Sequence, residues 1–453
     1  MMPELNRIYL GDCIETMKSW PDNSVDAVVT DPPYGIRFMG KAWDGADIDR
    51  QAQKRKGQKQ TLAKDGRIRP NPRQCKSEAA GTYDLTPKAM RNFQMWTEVW
   101  AREAFRVLKP GGHLLSFASA RTYHRMACGI EDAGFEIRDQ IQWIFGSGFP
   151  KSQNISKMMD KMAGAKRAVV GRYQPPGMDK PWNLNNAKDE RGVEVFSSSR
   201  NNLDVTAPAT DDAKTWDGWG TALKPASEPI CVARKPLSEK TVAANVMKWG
   251  TGALNIAACR LNRKDGDRTE YGRDRTLPDP KISNSLGKFK ENTPYDSTIG
   301  RWPANVILDE EAGRLLDEQN GGASCFFYCA KPSTAERERG TEELERKPLA
   351  QGNQAQAEVK RGNLEHGGNS GMNTVKMRGN IHPTVKPVDL MAYLIKLVTP
   401  PGGIVLDPFL GSGTTAIGAE KLMTKWVGCE MSAEYVAIAE ARIAAETAQV
   451  KLF

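Results

Sequence analysis

Asp407-Pro408-Phe409-Leu410-Gly411-Ser412-Gly413-Thr414-Thr415 is a Gly-rich turn between a short apolar strand, Gly403 to Leu406, and a helix that begins at Thr414. Glycines let the backbone pass close to a ligand, and a helix N-terminus presents free amides. Such a turn by itself could hold any nucleotide. The next strand, Trp426 to Cys429, runs into Glu430, about twenty residues on, where a carboxylate suits ribose hydroxyls. The phosphate-binding Gly-Lys-Ser/Thr signature is absent, so an adenosine without phosphates fits better than a nucleoside triphosphate.

Far upstream, Asp31-Pro32-Pro33-Tyr34-Gly35 follows another apolar run of strand length, Val25 to Thr30. Loops at the carboxyl ends of parallel strands are where α/β sheets bind ligands. The two prolines fix the backbone and leave carbonyls without competing amide donors. A carboxylate and a neighbouring carbonyl can then accept both hydrogens of an aromatic amine. That amine is a poor nucleophile because its lone pair is delocalised into the ring, and two acceptors that draw the nitrogen towards tetrahedral geometry localise the pair. Tyr34 offers a flat face to a base extruded from a duplex. A plain Pro-Pro turn with an Asp cap is the simpler alternative for the pentapeptide alone.

Around these motifs the chain alternates strand and helix. Arg7 to Leu10 reads as a strand, followed by a helical turn around Ile14 and Met17. Phe93, Trp96, Trp100 and Ala104 recur at helical spacing, and Pro110-Gly111-Gly112 is expected to end that helix before a strand over His113 to Phe117. A helix over Met126 to Ala133 and a strand pair over Phe135 to Phe145 follow. Leu390 to Val398 reads as an apolar helix, and the last helix opens at the N-cap Ser432 with Val436, Ala439 and Ile443 on one face. Residues 151–379 differ: Asn, Gly, Ser, Pro and charges dominate, Val242 to Leu261 and Trp302 to Leu316 look ordered, and Thr341 to Gly379 reads as loop or disorder. The pattern is α/β, with 1–150 and 380–453 forming one domain and 151–379 a long irregular insertion.

The 453 residues carry 64 basic and 55 acidic side chains, a net charge of +9 that suits a polyanionic partner without proving one. Ten basic residues against one acid, Asp65, fall between Arg50 and Lys76, so 50–76 reads as a basic mobile loop; a solvated linker is the plain alternative. No apolar run reaches the length of a membrane span, Met1-Met2-Pro3-Glu4 lacks the layout of a secretory signal, and the eight cysteines show no paired spacing. They are read as reduced thiols of a cytoplasmic protein.

The two motifs, in this order, resemble the DNA methylases that modify adenine at N6 or cytosine at N4, in the beta arrangement with the catalytic motif first and the cofactor motif last. Gly11-Asp12, Leu108-Lys109-Pro110-Gly111-Gly112 and His382-Pro383-Thr384-Val385-Lys386-Pro387 complete the likeness, which covers roughly 5–150 and 380–453. The resemblance implies a class I S-adenosylmethionine-dependent methyltransferase sheet, Rossmann-like and mostly parallel, in which the strands before Asp31 and Asp407 lie side by side. It implies catalysis by Asp31, Pro32, Pro33 and Tyr34. It implies that Asp407, Phe409, Gly411, Gly413 and Thr414 line S-adenosylmethionine, that Glu430 holds its ribose, that Asp12 sits near its adenine amine, and that Thr384 and Lys386 approach its methionine moiety. The expected partner is double-stranded DNA, read by the insertion as target-recognition region, with no membrane. A homodimer and a cognate restriction endonuclease are left open, as is a bacterial or phage origin with association to the nucleoid.

Asp at the first position of the catalytic motif favours adenine N6; cytosine N4 is the near alternative, and a catalytically silent DNA-binding protein of the same fold is the alternative from another class. Cys325 and Cys329, four apart with no second close pair, are read as free thiols, and no metal is expected. His113 and His124 are read as structural, and His382 as shaping the cofactor-side loop. Trp182, Trp216, Trp219, Trp249 and Trp302 lie among basic residues of the insertion and serve either nucleic-acid contact or small cores.

Overall fold

Six consecutive buried side chains, Val25–Thr30, form a strand covered on both faces, the pattern of a parallel strand at the middle of a sheet. The computed structural model describes residues 2–36, 44, 48–49, 85–146, 148, 152–172, 204–261, 300–320, 322–330, 334–348 and 377–450. The basic stretch expected over 50–76 lies outside them, as does most of the tract from Thr341 to Gly379. Two units result, Met1–Gly146 with Ser227–Phe453, and Ser147–Ala226.

In the first unit the chain runs β1 (Arg7–Leu10), α1 (Cys13–Lys18), β2 (Val25–Thr30), α2 (Pro87–Val107), β3 (Leu108–Phe117), α3 (Tyr123–Asp132) and β4 (Glu136–Ile144). The second unit holds α4 (Ile155–Met162), β5 (Val169–Arg172), β6 (Asp204–Thr206) and α5 (Asp211–Thr215). The first unit resumes with β7 (Ser227–Arg234), α6 (Val242–Trp249), β8 (Val306–Asp309), α7 (Glu310–Asn320), β9 (Tyr328–Ala330), α8 (Thr334–Glu338), β10 (Lys347–Pro348) and β11 (Met377–Arg378). It closes with α9 (Val388–Val398), β12 (Ile404–Asp407), α10 (Thr414–Lys421), β13 (Lys425–Glu430) and α11 (Ala433–Val450).

The main sheet has nine strands in the order β1-β13-β12-β2-β3-β7-β4-β8-β9. Neighbours are parallel except around β7, which runs antiparallel to both β3 and β4. This is the expected α/β sheet, mostly parallel, with the last two strands of the chain inserted between its first two. Alternation along the strands divides the core in two. Val28, Leu114, Leu406 and Val427 face α1, α2 and α3, whereas Ala27, Val29, Leu115, Val405 and Trp426 face α9 and α10. No described helix is long and apolar enough to cross a membrane.

Three readings of the sequence are corrected. Residues 227–330, assigned to the insertion, give β7, β8 and β9 to the main sheet, so the insertion is not separate over its whole length. The cause is β7, Ser-Glu-Pro-Ile-Cys-Val-Ala-Arg, whose Pro229–Ala233 are all buried, a central strand set in a polar neighbourhood. Second, the expected strand pair over Phe135 to Phe145 is one strand, β4. Third, Pro110-Gly111-Gly112 does not separate helix from strand: α2 ends at Val107, β3 starts at Leu108, and the triplet lies where the register with β2 slips between Val25 and Ala27. A register slip adds residues to one strand, and Gly111 meets it with a φ of +80°.

The smaller unit is held by the buried Asp160. Its carboxylate accepts from the Ala209 amide at 3.0 Å, from the Thr210 amide at 2.9 Å and hydroxyl at 2.8 Å, and pairs with Arg167 at 2.7 Å. Trp216 and Trp219 meet edge to face at 4.9 Å there and remain 41% and 60% exposed, too open to form a core of their own.

Candidate active site

Parallel pairing of β2 with β12, Ala27 opposite Val405 and Val28 opposite Leu406, brings both strands to the same edge of the sheet. Their last residues are joined directly: the Thr30 hydroxyl donates to Asp407 Oδ1 at 2.6 Å. The Phe409 amide donates to the same oxygen at 3.0 Å and the Thr415 hydroxyl to Oδ2 at 2.5 Å. Burial nevertheless pushes the Asp407 carboxyl up to about 6, against the bonds from Thr30 and Thr415.

That shift carries a sign. A carboxyl harder to ionise when folded holds its proton more tightly in the native state, so its stabilisation is complete below its ordinary value of 3.8 and is lost as pH rises through about 6. Asp407→Asn, which cannot titrate, lacks this dependence. The stability of the wild type relative to that variant is expected to fall by about 2 kcal/mol as pH rises from roughly 4 to 7. Chemical denaturation at each pH measures the difference, and a flat difference refutes the assignment.

The turn after Asp407 is packed from below. Gly411 has a φ of +55°, and a Cβ there would lie 2.7 Å from His382 Nε2; Gly413 has a φ of +83°, with Ala439 Cβ 3.0 Å from a Cβ added there. The His382 ring rests edge-on against Tyr435 at 4.7 Å, and burial, with Lys386, Arg337 and Arg442, holds its pKa down to about 3, so it shapes the turn as a neutral ring. Glu430, at the end of β13, accepts from the Gly411 amide at 2.9 Å and the Ser432 amide at 2.8 Å; burial raises its carboxyl against those bonds. Arg442 on α11 is 2% exposed and reaches back to Ser412, to the carbonyl at 2.5 Å and hydroxyl at 3.0 Å, and to the Thr414 hydroxyl at 3.3 Å. Phe409 packs against Trp96 at 5.5 Å and Trp100 at 5.4 Å. Because β1 pairs with β13, with Leu10 opposite Glu430, Asp12 follows the neighbouring strand end. Its carboxylate caps α1, accepting from the Ile14 amide at 2.8 Å.

The pentapeptide assembles a charged cluster. Asp31 Oδ2 accepts from the Lys386 ammonium at 2.6 Å, and Oδ1 from the Tyr34 hydroxyl at 2.8 Å. Glu228 Oε2, near the start of β7, lies 3.0 Å from the same hydroxyl and 3.2 Å from the ammonium. Burial alone would lower the Lys386 pKa; the carboxylates of Asp31 and Glu228 reverse that and raise it. The Tyr34 hydroxyl is raised well above its ordinary value by burial, then by the same two carboxylates. Pro32 is buried and Pro33 half-buried. Gly35 has a φ of +68° and lies against Phe93, which a Cβ would meet at 2.4 Å. Thr384 is half-buried in the connection between β11 and α9 that delivers Lys386.

Asp31, Tyr34 and Lys386 thus come together, and Asp407, Phe409, Gly411, Gly413, Thr414 and Glu430 form a second group, with Asp12 beside Glu430's strand. Lys386, expected towards a cofactor's methionine moiety, is bonded to Asp31. Thr30, Thr415, Glu228 and Arg442 were not singled out from the sequence. Thr30 immediately precedes one motif and Thr415 ends the other, so both could have been suspected as hydroxyl donors to Asp407; nothing local marks Glu228 or Arg442.

A mostly parallel sheet of this order, with two aspartate loops paired at one edge, places both loops where α/β proteins bind their ligands. The family model for N6/N4 methyltransferases, described as DNA methylase, matches residues 25–441. The chain belongs to that DNA methylase family. The type II methyltransferase M.HindIII of Haemophilus influenzae is 23% identical over 448 residues, 97% of this chain and 95% of its own. The type II methyltransferase M1.MboII of Moraxella bovis is 51% identical over 63 residues, 14% of this chain and 23% of its own. Among solved structures, the M1.HpyAVI–SAM complex has a TM-score of 0.36 at 14% identity, covering 96% of this chain and 98% of its own. The cytosine-N4-specific PvuII DNA methyltransferase has a TM-score of 0.39 at 14% identity, covering 96% and 85%.

Proposed function

We propose that this DNA methylase transfers a methyl group from S-adenosylmethionine to the exocyclic N6 amine of adenine in double-stranded DNA, with the base flipped out of the duplex. The observation that carries the reading is the bond from Thr30 to Asp407, which ties the strand leading to Asp31 to the Gly-rich turn at 2.6 Å. Full-length similarity to a type II methyltransferase supports a site-specific role.

The residues of the turn fit an uncharged adenosine. Glu430 and Asp12 stand at the ends of paired strands, where carboxylates suit hydroxyls and an amine, and the nearby guanidinium of Arg442 is buried behind the turn on Ser412, not offered to a phosphate. S-adenosylmethionine would be held by Phe409, Gly411, Gly413, Thr414, Glu430 and Asp12, and when bound it supplies a methyl group on positively charged sulfur. Asp31 accepts an N–H of the amine, and the Pro32 carbonyl, free of a competing donor, suits the second. Together they localise the nitrogen lone pair. The positive charge that develops on nitrogen lies against the Asp31 carboxylate, and the surplus amine proton passes to water. Tyr34, whose hydroxyl is tied to Asp31, holds its ring where a flipped base stacks.

Single-molecule sequencing of DNA from a methylation-free host expressing the protein, beside an Asp31→Ala control, tests this. N6-methyladenine in one sequence context, absent from the control, is the expected result. Marks on cytosine N4 would keep the mechanism and overturn the base. An unmodified genome with folded protein present would overturn the reading.

A further inference from the structure

Asp31 has two oxygens, and in this structure both are taken, one by the Tyr34 hydroxyl at 2.8 Å and one by the Lys386 ammonium at 2.6 Å. An ammonium is a far stronger partner for a carboxylate than a neutral amine is. While it stays on Asp31 it competes with the base for that oxygen and neutralises the charge that would face the developing positive nitrogen. The lysine is 7% exposed, so it cannot simply retreat into water.

Glu228 offers the other place to go. Its Oε2 is already 3.2 Å from the same ammonium and 3.0 Å from the same hydroxyl. Two carboxylates share one lysine, so one negative charge in the cluster is always left over. Which carboxylate carries it depends on where the ammonium leans. The Phe117 ring, 5.0 Å from the lysine nitrogen, closes another side of the cluster. Glu228 gets there because β7 runs against its neighbours, with Phe117 opposite Ile230, so β7 starts at the edge where β2 and β3 end.

Building on the reading that Asp31 receives the amine, we propose that Glu228 is a positioning residue that takes the Lys386 ammonium when the base arrives. Asp31 is thereby released as a charged acceptor. The base does not touch Glu228 in this scheme; Glu228 acts through Lys386. No bond to carbon is made or broken in the exchange, and no proton changes owner.

The test uses the purified full chain and unmethylated genomic DNA, with single-turnover methyl transfer, S-adenosylmethionine affinity and melting temperature measured for each variant. Glu228→Gln keeps the shape and removes the charge, leaving Asp31 as the one carboxylate beside the ammonium; transfer is expected to slow about 10- to 100-fold with cofactor affinity and melting unchanged. Glu228→Asp, which keeps the charge, is expected to recover most of that loss. With Lys386→Met already in place nothing needs to be moved, so adding Glu228→Gln should cost nothing or speed the reaction, a coupling that a merely structural role would not produce. Wild-type rate in Glu228→Gln, or its full cost in the Lys386→Met background, overturns the proposal. The base marked by the wild type is read separately: methylated cytosine would overturn the adenine reading, and the ratios between variants would still decide for or against Glu228.

Discussion

Replacing Asp31 by asparagine is expected to slow methyl transfer by roughly a hundred- to a thousand-fold, the scale of removing one preorganised electrostatic partner from a reacting centre. An asparagine oxygen can still accept, but it carries no charge to set against the positive nitrogen, and its own NH2 points a donor into the site. Folding should survive, because Lys386 retains Glu228 at 3.2 Å and is not left as an unpaired buried charge. S-adenosylmethionine affinity should change little, since the Asp31 side chain bonds to Tyr34 and Lys386 rather than to the turn Phe409 to Thr414 or to Glu430. Single-turnover methylation and equilibrium cofactor binding, measured on the same preparation, separate the two effects. A rate within about tenfold of wild type would remove Asp31 from the reaction.

Gly411→Val is expected to act the other way round, on the cofactor. A β-branched residue is a conformational outlier at a φ of +55°, and its Cβ would stand 2.7 Å from the His382 ring. That ring is itself backed by Tyr435, so the turn must move, and the bond from the Gly411 amide to Glu430 at 2.9 Å is lost with it. Backbone strain of this kind costs about 1–3 kcal/mol, and with it S-adenosylmethionine affinity should fall roughly 10- to 100-fold. Gly402→Ala is the control. Gly402 also has a positive φ, +71°, but a Cβ there meets nothing within 4 Å, so stability should fall slightly and cofactor binding should not. Calorimetric titration with S-adenosylmethionine checks both; equal losses in the two variants would mean that the turn is not where the cofactor sits.

Much of the candidate site is legible in the sequence because its parts are contiguous. Asp31 to Gly35 and Asp407 to Thr415 each follow a short apolar run, and a strand that ends in a rigid or glycine-rich turn is a local event. The same holds for β1, β2, β12 and β13, whose boundaries fall within a residue or so of those expected. The boundary of the insertion was not readable. β7 owes its place to Ile230–Ala233 packing between β3 and β4, and the surrounding composition says nothing of partners about 90 to 120 positions away.

The sequence by itself determined the α/β class, the two loops and the residue types from which a reaction on an amine can be built, because strand periodicity and turn chemistry are written over a few neighbouring residues. Only the tertiary structure decided how those loops meet. Thr30 and Asp407 stand 377 positions apart and are joined by one hydrogen bond, Lys386 reaches Asp31 across 355, and Arg442 enters the turn from the last helix. Glu228 joins them only because β7 is reversed, so that the start of one strand lies where its neighbours end. Such pairings depend on the order and direction of strands in the sheet, and burial then turns the chosen neighbours into strong electrostatic partners.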